Sequence, residues 1–234
     1  RTVDGIRIGF ERVADAYQVV RGFRAWSVQE DLALGPNYSV GMVISLPAFG
    51  GDRRRLLLDG RAHRALHRGG WVFLGDVWGS GRLEAGGAVN LRVGIQLAAA
   101  QLGPRGWQAR VMVETTRDLD RELQLTLGAD QGLRGWDPDA FDGTGRAVAN
   151  LQWRTLLADE LLHVLSLGVV VFADAGKTWG ARVGVPTDGV RTDIGVGLLA
   201  DLTHVGLAQL LRLDVAIPDD GSGPVVTLSS RALF

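Results

Sequence analysis

From Leu165 to Gly176 the chain alternates without a break between two kinds of residue. Leu165, Leu167, Val169, Val171, Ala173 and Ala175 fall on one side; Ser166, Gly168, Val170, Phe172, Asp174 and Gly176 fall on the other. A period of two marks an extended strand, whose successive side chains point to opposite faces. One face of this strand is apolar throughout, and the other is small, polar or charged. The division recurs at Leu211, Leu213, Val215 and Ile217 against Arg212, Asp214 and Ala216, and at Leu123, Leu125 and Leu127 against Glu122, Gln124 and Thr126. It recurs again at Ile194, Val196, Leu198 and Ala200, and at Leu91, Val93, Ile95 and Leu97.

Alternating segments of about ten residues joined by turns meet the length a transmembrane β-strand needs. Hydrocarbon offers no hydrogen bonds, so a spanning sheet must satisfy its backbone groups by closing on itself. A soluble barrel or sandwich also alternates, but it turns its charged face outward and runs strands of about five or six residues. Here the mixed face carries glycine, serine and opposite charges, which suits a wet interior. The pattern predicts an all-β fold, an antiparallel transmembrane β-barrel forming one domain over residues 1–234. About thirteen strands are expected, centred near residues 8, 28, 42, 58, 74, 94, 112, 125, 151, 170, 196, 214 and 229. Turn-rich pieces such as Gly50-Gly51-Asp52 and Asp219 to Pro224 separate them, and no linker divides the chain.

Composition narrows the function classes. The net charge of −1 argues against a nucleic-acid partner, which calls for a basic surface. The absence of cysteine excludes disulfides and thiolate metal sites. No apolar run is long enough for a transmembrane helix. The chain opens at Arg1 with neither Met nor an apolar leader, so a signal peptide is expected to have been removed or not included.

Two motifs carry more specific information. Leu127-Gly128 leads into a glycine-rich loop ending Leu133-Arg134-Gly135-Trp136, followed by a polar stretch from Asp137 to Arg146 and a strand from Ala147 to Leu156. Directly afterwards comes Phe172-Ala173-Asp174-Ala175-Gly176, where a carboxylate sits among apolar neighbours and requires a cation. Together these resemble the Leu/Val-Arg-Gly-aromatic loop and the Phe-x-Asp-x-Gly strand of the BamA/TamA outer-membrane superfamily, also called the bacterial surface antigen family. The resemblance covers about residues 120–234; upstream strands match only in style. In that family five strands follow the loop, as five predicted strands do here. The loop folds back into the barrel and its Arg contacts the Asp of the later strand.

Carried over, the resemblance pairs Arg134 with Asp174, with Gly135, Phe172 and Gly176 as the accompanying motif residues. Gln152 stands where many relatives have Glu, so the anchor is expected to be weaker here. The terminal Phe234, on the strand from Val225, resembles a closing-strand recognition signal. The resemblance implies a location in the bacterial outer membrane and a role in assembling, inserting or translocating proteins. Implied partners are outer-membrane lipids, unfolded outer-membrane or secreted client proteins, and periplasmic POTRA domains ahead of Arg1. Alternatives are a two-partner secretion pore and a barrel that anchors another periplasmic domain. No cofactor and no enzymatic activity are expected. Counting back from a sixteen-stranded barrel, about three strands are expected before Arg1. A complete twelve-stranded barrel is the rival, and pairing of the strand near Ile8 with the strand ending at Phe234 separates the two.

Other apparent signals fail on context. Ala175-Gly176-Lys177-Thr178 resembles the end of a phosphate loop but lacks its first Gly and a following helix. His63 and His67 have metal-type spacing only if they lie on a helix, and their surroundings read as strand. Val20-Arg21-Gly22-Phe23 matches the loop tetrapeptide but lacks the Leu-Gly approach. It reads as a chance match in a loop or strand end.

Overall fold

The computed structural model of the protein describes residues 3–161, 163–180, 189–202 and 209–230. The expected closing-strand residue Phe234 lies outside the described residues. The all-β expectation holds: a 12-stranded antiparallel sheet takes up most of the chain. Its strands are β1 (Gly5–Arg12), β2 (Ala16–Arg21), β3 (Gln29–Ser45), β4 (Arg55–Arg68), β5 (Trp71–Glu84), β6 (Gly87–Gln101) and β7 (Arg105–Arg117). After the minor hairpin β8 (Leu125–Leu127) and β9 (Phe141–Gly143) come β10 (Gly145–Leu161), β11 (Leu165–Trp179), β12 (Arg191–Leu202), β13 (Gln209–Pro218) and β14 (Val225–Ser229). From β3 onward each large strand pairs with its sequence neighbours, β1 and β2 both pair with β3, and β7 and β10 become neighbours because β8 and β9 stand outside the sheet.

Two sequence expectations are corrected. The strand expected near residue 28 does not form there: residues 22–28 are a turn, and β3 begins at Gln29 and runs for 17 residues. Gly35 and Pro36 lie inside that strand. Proline lacks the N–H a ladder needs, but Pro36 sits opposite the interruption between β1 and β2, where no ladder bond is missed. The side chain of Asn37 fills the gap by accepting from the Ala14 N–H at 2.6 Å. Because Arg12 pairs with Tyr38 and Ala16 with Leu34, β1 and β2 keep one register and act as a single interrupted arm. The strand expected near residue 125 is the three-residue β8, whose Leu125 and Leu127 are buried inside rather than facing out. Period two is a property of any strand, and it does not say whether the strand belongs to the wall or to a hairpin folded within it.

The faces of the wall are inverted relative to a water-soluble protein. Val171, Ile194, Val196, Leu198, Leu213 and Ile217 point outward and are exposed, as the alternation predicts. Ser166, Asp174, Asp193, Asp201, Arg212 and Asp214 point inward and are buried. The sheet curls strongly. Trp26, in the turn between β2 and β3, packs against Val170 and Phe172 of β11 and Leu199 of β12, although five strands lie between β3 and β11 in the sheet. Only a sheet wrapped around its own interior allows that contact.

Connections at one end are short. The β4–β5 turn consists of Gly69 and Gly70, both with positive φ (59° and 77°), as a two-residue hairpin requires. The other end carries the long connections 46–54 and 118–144, beside a two-residue β5–β6 turn at 85–86. There Asp52 is clasped by Arg55, whose hydrogen bonds hold the Asp52 carboxyl below its ordinary value. The clasp therefore persists at neutral pH and opens only as pH falls through that lowered value. β1 and β14 are the edges: among the described residues each pairs on one side only, and the pairing a closed twelve-stranded barrel requires is not made. Both edge strands run from the long-loop end towards the short-turn end.

Candidate functional site: two inward-folded segments

The connection after β7 does not stay outside the sheet. Its apolar residues Leu127, Leu133 and Phe141 are buried against Met112 of β7 and Val148 of β10, and this burial draws the loop into the interior. A short 3-10 turn at Ala129–Gln131 ends on Gly132, whose φ of 115° suits glycine. The turn is tied off by the Leu133 N–H donating to the Gly128 carbonyl at 2.9 Å, which aims Arg134 at the wall.

Arg134 is held on three sides. Its Nε and Nη2 donate to the two carboxylate oxygens of Asp174, each at 2.7 Å, a two-point pair that fixes the guanidinium plane. Its Nη1 donates to Gln152 Oε1 at 2.9 Å. The guanidinium carbon lies 3.6 Å from the centre of the Phe172 ring, a cation–π stack. The expected set of Arg134, Asp174, Gln152 and Phe172 is thus brought together. The two glycines contribute space. A Cβ on Gly176 would press on Leu127 and Leu133 at 2.9–3.2 Å, and one on Gly135 would meet the Asp193 side chain at 2.6 Å. In this chain the Phe-x-Asp-x-Gly pattern is a stacking plate, a counter-charge and a gap for the loop.

Several participants carry no motif and were not foreseen. Asn150, opposite Asp174 in the register, donates from Nδ2 to both Asp174 Oδ1 (2.7 Å) and the Gly132 carbonyl (2.6 Å). Arg110 of β7 donates to Asn150 Oδ1 and to the Gln131 carbonyl, each at 2.9 Å. Arg212 pairs with Asp214 and also reaches Gln152 Oε1 at 3.3 Å. Asp193 faces Asp174 across the β11–β12 pair, and neither of its oxygens has a hydrogen-bond partner among the described residues.

The tetrapeptide set aside as a chance match proves structural. Its location at the end of β2 is as read, but Gly22–Val28 forms a strap that crosses the interior from the short-turn end. Phe23 is buried against Val20, Leu32, Ala65, Val72, Leu74, Ala98 and Ala100 on one wall. Trp26 is buried on the opposite wall. Arg154 donates to the carbonyls of Gly22 (2.7 Å), Phe23 (2.6 Å) and Arg24 (2.7 Å). Asp201 accepts from the N–H groups of Trp26 (2.6 Å) and Ser27 (2.8 Å) and from the Ser27 hydroxyl. Glu30 accepts from the Arg24 N–H at 2.7 Å. A buried turn leaves its backbone groups without water, and here side chains supply the partners.

Gln152 joins the two segments. Its Oε1 accepts from Arg134, while its Nε2 donates to Gln108 Oε1 at 2.6 Å; Gln108 Nε2 then donates to the Phe23 carbonyl at 2.9 Å. An amide is needed at 152 because it must accept at one end and donate at the other. Gln152→Glu is expected to strengthen the contact to Arg134 but to set a carboxylate against Gln108 Oε1. Gln108 must then flip, turning its donor away from the Phe23 carbonyl, which keeps Arg154 as its other donor, at a cost of about 0.5–1.5 kcal/mol for the lost hydrogen bond. Urea unfolding should show the loss, and Gln152→Glu combined with Gln108→Met should not be additive. Full additivity would mean the two amides are not coupled.

Between the two segments and β13–β14 lies a cavity of about 1070 Å³ lined by Arg24, Glu30, Arg110, Gln131, Arg212 and Thr227, among others. No protein-family model matches the chain, and no curated protein matches it either.

Proposed function

We propose that the protein is an outer-membrane β-barrel of the BamA/TamA type that assembles, inserts or translocates other proteins at the bacterial outer membrane. The observation that carries the reading is the inward-folded loop whose Arg134 is gripped at two points by Asp174 and stacked on Phe172. The outward apolar belt supports a lipid setting, because so many exposed large apolar side chains on one continuous face are a liability in water. The edges of β1 and β14, unpaired among the described residues, support the activity. An open edge offers backbone donors and acceptors to an extended client strand, which pairs by β-augmentation. The braced interior then keeps the wall in shape while the edge is in use. The partners of this reading are membrane lipid, unfolded client chains and periplasmic POTRA domains of the whole protein.

The test is reconstitution. Vesicles carrying the protein should fold and insert a urea-denatured outer-membrane barrel faster than protein-free vesicles. An unchanged rate overturns the assembly reading. An unchanged rate together with passage of an unfolded chain through the vesicle wall would replace it with the secretion-pore reading.

A further inference from the structure

The wall that holds the strap touches little that is particular to the strap's own sequence. Arg154 and Gln108 donate to backbone carbonyls, and Asp201 accepts from backbone N–H groups. Every polypeptide carries these groups, and a bent one turns three successive carbonyls towards one guanidinium and two successive N–H groups towards one carboxylate oxygen, as Gly22 to Ser27 do here. Side-chain recognition consists of two sockets and one hydroxyl contact, the Ser27 hydroxyl donating to Asp201 at 2.7 Å. One socket, lined by Ala65, Val72, Leu74, Ala98 and Ala100, takes the Phe23 ring. The other, lined by Val170, Leu199 and Leu210, takes the Trp26 indole above Gly168, where a Cβ would collide with the ring. Backbone hydrogen bonds combined with spaced side-chain pockets hold a peptide by its backbone shape as much as by its sequence, and here that shape is a bend opened by Gly22 with a φ of 72°.

We propose that the inner wall formed by Gln108, Arg154, Gly168 and Asp201 is a binding groove for a bent segment of unfolded polypeptide with aromatic residues at positions i and i+3, and that strap residues 22–28 are its built-in occupant. The inference rests on the reading of this barrel as one that handles unfolded chains, and it names what part of a client the interior takes. Arg154 is 2% exposed and Asp201 0%. An empty groove would strand both buried groups, so one occupant is exchanged for another rather than simply released. A path exists for the exchange: the large cavity runs from Arg24, Ala25 and Val28 of the strap to the inner side of Val225–Ser229 in the edge strand β14. A client held at that edge lies next to the groove. The strap, tethered at both ends, competes at an effective concentration in the millimolar range, which keeps the groove closed to weak ligands.

The experiment uses a fluorescein-labelled peptide with the sequence of residues 20–28 and the purified protein in detergent micelles, read by fluorescence anisotropy. Phe23→Ser combined with Trp26→Ser displaces the strap, and trypsin resistance with far-ultraviolet circular dichroism reports folding. The displaced variant should bind the peptide at least tenfold more tightly than the unaltered protein. Adding Arg154→Met to it, or replacing both aromatic residues of the peptide by Ser, should remove binding. Equal binding by the two proteins, or none by a folded displaced variant, overturns the proposal. So does failure of both the double variant and the milder Trp26→Ala to fold, because an occupant that cannot leave is core. Peptide binding without any acceleration of barrel insertion in vesicles keeps the groove and removes the assembly function, so the two readings fail separately.

Discussion

Asp174→Ala is expected to destabilise the protein by about 3–5 kcal/mol, the range for breaking a buried ion pair from one side. Arg134 loses both of its charge-assisted bonds and keeps Gln152 and the Phe172 ring. Asn150 loses an acceptor as well, and Arg110 alone then steadies its hold on the Gly132 carbonyl. Asp193 stands beside the loop at Gly135 and faces Asp174 across the β11–β12 pair, in position to substitute in part. The loop should therefore leave the interior rather than the sheet unfold, and trypsin should cut after Arg134 where it does not cut the unaltered protein. Removing both charges, Asp174→Ala with Arg134→Met, should cost less than Asp174→Ala alone, since no buried guanidinium remains unpaired. A single variant as trypsin-resistant as the parent would show that Leu127, Leu133 and Phe141 hold the loop without the ion pair.

The second large effect concerns the outer face. Val171 lies midway along β11, exposed, with Trp153 and Val196 as its cross-strand neighbours. In a bilayer, Val171→Arg should cost ~2–4 kcal/mol, the value for a cationic side chain near the midplane. Lys177→Arg, on the same face towards the strand end, should be nearly neutral. In water both substitutions fall on an exposed strand surface and should stay within about 0.5 kcal/mol. Urea unfolding from lipid vesicles measures the difference. Equal, small effects at both positions would remove the membrane setting from the reading.

The wall was legible because its information is local. Each strand announces its two faces within a few residues, and β10 to β14 follow the loop as five strands in the large sheet, as expected. Arg134 and Asp174 were legible for a different reason: the loop and strand motifs resemble a pattern in which the Arg and the Asp are paired. The strap had no such signal. Gly22 to Val28 shows no period, and its meaning depends on Arg154 and Asp201, which lie about 130 and 175 positions away. Asn150 and Arg110 look like any polar residue on an inward face until the loop arrives above them. Gln152 illustrates the limit best. Compared with Glu it reads as a weakened anchor, yet the structure uses its amide nitrogen for a contact that no carboxylate can make.

The common direction of the two edge strands has a consequence for handedness of entry. Pairing β1 directly with β14 would be a parallel match, with slanted hydrogen bonds unlike those of every other pair in the sheet. Keeping the whole ring antiparallel takes an odd number of strands between them, whichever chain supplies those strands. A single guest satisfies that parity only if it travels from the short-turn end towards the long-loop end, opposing both edges at once. On the proposed reading the two edges therefore discriminate by polarity: a segment offered tip-first from one end finds two antiparallel ladders, and the same segment reversed finds none.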